Sequence, residues 1–199
     1  MSEAWRRIQR RLGVTADGIP GEVTAAAVEA ALPPAASAEP TGPFDDRTER
    51  NIATLLPQVQ PIFRDLFAEA LAIGLRSGIV PKILSGNRTW AEQDALYAKG
   101  RTKPGPKVTN AIGGGSLHNY GIAVDLGCFS GGRYLDDGTS ADKARASAFY
   151  RSLSIEAEKM GLEWGGNWAT FRDEPHFQIR TGLTVAQMRA KIESGESIV

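Results

Sequence analysis

Apolar residues recur at helical spacing along the early part of this chain. Trp5, Ile8, Leu12 and Val14 share one helix face, and Gly13 is placed to end that helix. A glycine-rich turn and a second, alanine-rich helix follow within TADGIPGEVTAAAVEAAL. From Asp45 a longer pattern begins. Ile52, Leu55, Leu56, Val59, Ile62, Phe63, Leu66, Phe67 and Ala70 keep helical spacing to about Ser77. Pro57 and Pro61 fall inside it, so a break or kink is expected near them. Shorter runs then alternate with helices. PKILSGNR reads as a strand leading to a loop, and GIAVDLG and HFQIR read as two more strands. TWAEQDALYAKG reads as a helix with a Thr89–Glu92 capping box and Gly100 at its end. SADKARASAFYRSLSIEAEKMG is a helix with Ser140 as N-cap and Phe149, Leu153, Ala157 and Met160 on one face. TVAQMRAKI is a last helix, with Thr184 and Gln187 as its capping box. No regular strand–helix–strand rhythm emerges, so the expected class is α+β.

The run LPPAASAEPTGP has no periodicity and reads as an extended linker. It divides the chain into a helical segment at 1–32, a linker at 33–44 and a main domain at 45–199. A chain of 199 residues with 42% hydrophobic and 23% charged residues can build a packed core. Acidic and basic residues number 23 each, which gives no electrostatic case for nucleic-acid binding. The lone cysteine, Cys128, excludes an intramolecular disulfide and a cysteine-rich zinc site, and reads as a small buried hydrophobe. MSEAWRRIQRRLG lacks the apolar segment of a secretory signal, and no stretch reaches the ~18 apolar residues of a membrane span. The expectation is synthesis in the cytoplasm with no membrane insertion, and a monomer; any action outside the cell requires release by other means.

The chain has only two histidines, His118 and His176. Each lies near a carboxylate and a short apolar strand. A catalytic zinc takes three protein ligands of the His/carboxylate/Cys type and leaves one position open. His118, Asp125 and His176 supply such a set. Such a site also needs a base for the attacking water, and Asp173 and Glu174 stand three and two residues before His176. On a regular strand Glu174 would share a face with His176 and Asp173 would not, but Pro175 makes regularity doubtful.

Ser116-x-His118-x-x-Gly121-x-Ala123-x-Asp125, followed by Asp173-x-Pro175-His176, resembles the zinc peptidases of peptidoglycan. These are the D-Ala-D-Ala carboxypeptidases and dipeptidases and the L-alanyl-D-glutamate endopeptidases of phage endolysins, the M15 family. The resemblance covers nearly all of residues 80–180. It implies a small antiparallel sheet with flanking helices, the D-Ala-D-Ala-peptidase or hedgehog-like fold. It implies Zn2+ held by His118, Asp125 and His176. It implies Asp173 as acid/base, with Glu174 as the alternative base. Arg88 takes the role of a substrate-carboxylate or oxyanion contact, which suits a bidentate guanidinium. Gln93 and Tyr97, one helical turn apart, could line the cleft, or could simply pack. Ser116 is expected to order the ligand loop and contact substrate, Gly113 to Gly115 to form a flexible lip, and Trp164 to Trp168 to form an aromatic loop above the site with Trp164 against substrate; Trp164 and Trp168 could instead be core. The Asp-x-Pro-His form is closer to the endopeptidase branch. Leu12-Gly13, Asp17-Gly18, Gly21, Thr24 and Ala27-Val28 resemble the three-helix peptidoglycan-binding domain over part of its length; a plain helical hairpin is the other reading.

The expected activity is therefore hydrolysis of the peptidoglycan stem peptide at the L-Ala–D-Glu bond, acting at the wall after release. The nearest alternative is a D-Ala-D-Ala carboxypeptidase or dipeptidase with the same zinc site. An alternative of another class is a non-catalytic wall-binding protein, and a structural zinc domain is a third.

Overall fold

A computed structural model describes residues 44–199. The expected helical segment at 1–32, and the linker apart from Phe44, lie outside the described residues. Among the described residues no helix is long and apolar enough to cross a membrane. These residues fall into two compact units, one built from 44–87 and 120–180, the other from 88–119 and 181–199.

The first unit holds the sheet. Helix α1 (Asp46–Ala53) is capped by Asp45, whose carboxylate accepts from the Thr48 amide and hydroxyl. Helix α2 (Gln60–Ser77) has proline in its first turn and ends at Gly78. The expected long helix is thus two helices. The break falls between them because Pro61 has no N–H to give and sits where a helix can start without one. Strand β1 (Val80–Ser85) pairs antiparallel with β2 (Ala123–Ser130), which pairs with β3 (Arg133–Tyr134) and with β5 (His176–Ile179). Helix α4 (Ser140–Lys159) runs into β4 (Leu162–Trp164), which pairs with the outer side of β5. The order β1-β2-β5-β4 is an open antiparallel sheet. The class is α+β, as the element pattern predicts.

Helices α1 and α2 pack on β1, and α2 also packs on α4. Phe63, Leu66, Phe67, Ile83, Val124, Leu126, Tyr150, Leu153 and Phe177 are fully or almost fully buried there. The outer edge of β1 is closed by α1. The Thr48 hydroxyl accepts from the Ile83 backbone amide at 3.1 Å and the Asn51 side-chain Nδ2 donates to the Ile83 carbonyl at 2.8 Å. An edge covered in this way offers no template for another strand.

One helix start differs from expectation. The N-cap of α4 is Thr139, not Ser140: its side chain accepts from the Asp142 amide, and Asp142 reaches back in a capping box. Adjacent hydroxyl residues make that position ambiguous in sequence, and the aspartate three places on selects Thr139. Strand β4 was not expected at all.

The second unit contains α3 (Trp90–Ala98), the short 3-10 turn Leu117–Tyr120 up to Asn119, and α5 (Val185–Ser194). Both expected capping boxes, Thr89–Glu92 and Thr184–Gln187, are formed. The Arg189 guanidinium lies 5.4 Å from the Trp90 ring centroid and donates to the Gly114 carbonyl.

Candidate metal centre and its surroundings

Strand β2 has two faces, because successive side chains point opposite ways. Val124, Leu126 and Cys128 are buried in the core. Asp125 belongs to the other face, which explains how an apolar strand carries a carboxylate. Its register partner on β5 is His176, and Gln178 on β5 is the partner of Glu163 on β4. Phe177, between them, turns to the core and stacks with Trp164 at 6.5 Å. One sheet face is thus apolar and structural, and the other carries Asp125, His176, Gln178 and Glu163.

Asp125 Oδ1 lies 3.1 Å from His176 Nδ1. Two ligands of a tetrahedral zinc with bonds of ~2.0–2.1 Å stand roughly 3.3 Å apart. The pair is therefore spaced as neighbouring ligands of one ion. His118, Asp125 and His176 each offer a ligand atom, and these atoms all lie within 4.8 Å of one another. Two imidazoles and a carboxylate are the donor set of a catalytic zinc site with an open position. His118 and His176 are 2% and 5% exposed, as befits groups held in place rather than solvated. Burial disfavours the charged imidazolium of His176. Its pKa is nevertheless raised, because the Asp125 hydrogen bond and charge, the Gln178 hydrogen bond and the Asp173 charge outweigh that cost.

Asp173 and Glu174 go to different places. Residues 174–175 form a turn and β5 starts only at His176, so strand alternation does not govern them. The Asp173 carbonyl accepts from the His176 amide at 3.2 Å. Gly165 packs under this turn so tightly that a Cβ there would lie 2.5 Å from the Asp173 carbonyl oxygen and 3.1 Å from the His176 Cβ. Glu174 instead accepts from the Ser147 hydroxyl on α4 at 2.9 Å, and its charge bears on Asp136 and Cys128. The expected aromatic loop also divides. Trp164, expected against substrate, is buried and its indole donates to the Glu174 carbonyl at 2.7 Å. It is a core residue, because β4 turns it to the same face as Phe177. Trp168 is the aromatic neighbour of His176, with ring centroids 5.1 Å apart.

In the second unit, Arg88 Nη1 donates to the Gln93 side-chain carbonyl at 2.8 Å. Gln93 is fully buried and its amide donates to Thr109 Oγ1 and the Ala111 carbonyl. Gln93 thus holds Arg88 and the following loop together. Tyr97 lies under the Arg101 guanidinium, 3.8 Å from ring centroid to carbon. Ser116 receives the His118 amide at 3.4 Å. Asn119, which sequence reasoning passed over, does more. Its carbonyl accepts from the Gly114 and Ser116 amides and its amide donates to the carbonyls of Arg88 and Thr89. The Arg88 amide donates to the His118 carbonyl at 3.1 Å. The glycine run is packed against its neighbours. Gly113 donates to Asp94 at 2.6 Å, and Gly114, at φ 71°, lies so close to Trp90 and Arg189 that a Cβ would meet both.

The profile of a family described as D-alanyl-D-alanine carboxypeptidase matches residues 109–179, which include His118, Asp125 and His176. Over 115 residues the chain is 40% identical to the peptidoglycan L-alanyl-D-glutamate endopeptidase CwlK of Bacillus subtilis (strain 168). That alignment covers 56% of this chain and 68% of the relative. The crystal structure of the Serratia marcescens L-Ala D-Glu endopeptidase ChiX aligns at 22% identity with a TM-score of 0.47, over 70% of this chain and 90% of that one. The chain belongs to the M15 peptidases, a family of hydrolytic metallopeptidases.

Proposed function

We propose that this chain is a zinc-dependent peptidoglycan peptidase that cuts the stem peptide between L-Ala and D-Glu. The observation that carries the reading is the gathering of His118, Asp125 and His176 as a three-ligand group. The 40% identity to an enzyme named for that bond supports this choice of bond. His118, Asp125 and His176 would hold the Zn2+, which when bound would supply an activated water and polarise the scissile carbonyl. Asp173 takes the proton of the attacking water and returns it to the leaving amine of D-Glu. Arg88, braced by Gln93, pairs with a carboxylate of the stem peptide or with oxygen charge developing at the cleaved carbonyl. Asn119 keeps the Arg88 backbone and the loop before His118 in register. The place of action is the cell wall, where the substrate lies.

Mass spectrometry of muropeptides after incubation with purified wall tests this directly. New L-Ala carboxyl ends and D-Glu amino ends are the expected products. The profile description favours a second reading, D-Ala-D-Ala carboxypeptidase activity, for which loss of terminal D-Ala alone would be the product. No cleavage by folded, zinc-loaded protein would overturn both.

A further inference from the structure

The far side of the His176 ring is as fully engaged as the near side. Its Nε2 lies 2.9 Å from the Gln178 side-chain oxygen. The Gln178 amide nitrogen donates to Glu163 Oε2 at 3.1 Å. The other oxygen of Glu163 accepts from the Trp168 indole at 2.7 Å. The Trp168 ring also packs beside the imidazole. The three residues come from β4, β5 and the loop after β4, and the Glu163–Gln178 register pairing brings them together.

The chain of bonds has only one polarity. An indole N–H can only donate and a carboxylate can only accept. Glu163 therefore takes the Gln178 NH2, which turns the Gln178 carbonyl toward His176. A carbonyl can only accept, so His176 Nε2 must carry a proton. That leaves Nδ1, on the Asp125 side, with its lone pair for a metal. Partners of this kind on the outer nitrogen of a ligand histidine set its tautomer and orientation.

We propose that Gln178, fixed by Glu163 and Trp168, is a positioning residue that locks His176 in its Nε2–H form and presents Nδ1 to the metal. This rests on the reading of His176 as a metal ligand. Gln178 touches neither substrate nor reacting atoms; it acts through the imidazole.

The test uses Zn2+ alone, with affinity measured by competition against a chromophoric chelator, and 15N spectra of the imidazoles in the zinc-loaded protein. In the wild type the metal-shifted nitrogen of His176 is Nδ1, and Nε2 carries a slowly exchanging proton. Gln178→Leu removes the acceptor and weakens zinc binding by ~10–100-fold. The double variant Glu163→Gln with Gln178→Glu swaps carboxylate and amide while keeping every donor opposite an acceptor. It restores affinity to within ~3-fold of wild type, a recovery that mere loss of packing would not allow. Gln178→Leu binding zinc as tightly as wild type would overturn the proposal, as would a spectrum in which Nε2 is the metal-shifted nitrogen. Either result leaves the metal centre standing. Failure of the wild type itself to bind zinc would instead overturn the reading on which the proposal rests.

Discussion

Asp125 and His176 face each other across the β2–β5 pair as register partners, with Oδ1 3.1 Å from Nδ1. Strand pairing, not loop conformation, sets that distance. Rigid elements hold ligands more accurately than loops do. Asp125→Asn and His176→Ala should therefore abolish zinc binding while leaving the fold, because both side chains lie on the sheet face away from the core. His118→Ala should do the same. Metal analysis of the purified variants is the check, alongside circular dichroism. A variant that keeps both zinc and wall lysis would remove its residue from the ligand set.

The two acidic residues before His176 should separate cleanly. Asp173→Asn should lower kcat by ~10²–10⁴-fold with zinc still bound, since a general base is lost and no ligand is. Glu174→Gln should keep kcat within a few-fold. Its carboxylate is bonded to Ser147 and directed toward α4. The opposite ranking of the two kcat values would make Glu174 the base.

Most of the helices are legible in the sequence, because their ends are written locally. Thr89 with Glu92, and Thr184 with Gln187, each specify a start within four residues. Strand β4 could not be read, since three residues carry no period and become a strand only through pairing with β5. The gathering of His118, Asp125 and His176 was legible because histidines are scarce here and their spacing to Asp125 matches a known signature. What supports it was not. Gln178 gains its partner from register with Glu163, and Asn119 from a loop that closes on Arg88. Neither relation leaves a mark in the linear chain. Strand alternation does not reach Glu174, as Pro175 already suggested, because the strand begins two residues later than that argument requires.

Gln93 should prove structural and functional at once. Gln93→Leu keeps the volume but strands the Arg88 guanidinium, Thr109 and the Ala111 carbonyl from their buried partner. A loss of about 1–3 kcal/mol in urea unfolding is expected, with a rise in KM as Arg88 loses its brace. Arg88→Lys should raise KM with little change in stability, because an ammonium cannot reproduce the fork. Equal KM values for Arg88→Lys and wild type would remove Arg88 from substrate binding.

Cys128 should contribute to an alkaline decline in stability. Burial pushes its thiol from 9.0 up to about 12, against a hydrogen bond with Tyr150 that pulls the other way. Tyr150 and Tyr134 are also raised, chiefly by burial. Between pH 9.0 and about 12 the unfolded chain loses the Cys128 proton while the native protein keeps it. The unfolded state then binds fewer protons, so stability must fall as pH rises. The contribution is fully present below pH 9.0 and is lost toward about 12, with a slope of at most about 1.4 kcal/mol per pH unit from this one group. Urea melts from pH 7 to 11 should be flat at first and then decline. Cys128→Ala should flatten the upper part of the curve, whatever its cavity does to the absolute value. At pH 8 the native thiol should be inert to a disulfide reagent and react only at the rate of unfolding. Rapid labelling without denaturant would place Cys128 outside the core and remove this account of the alkaline limb.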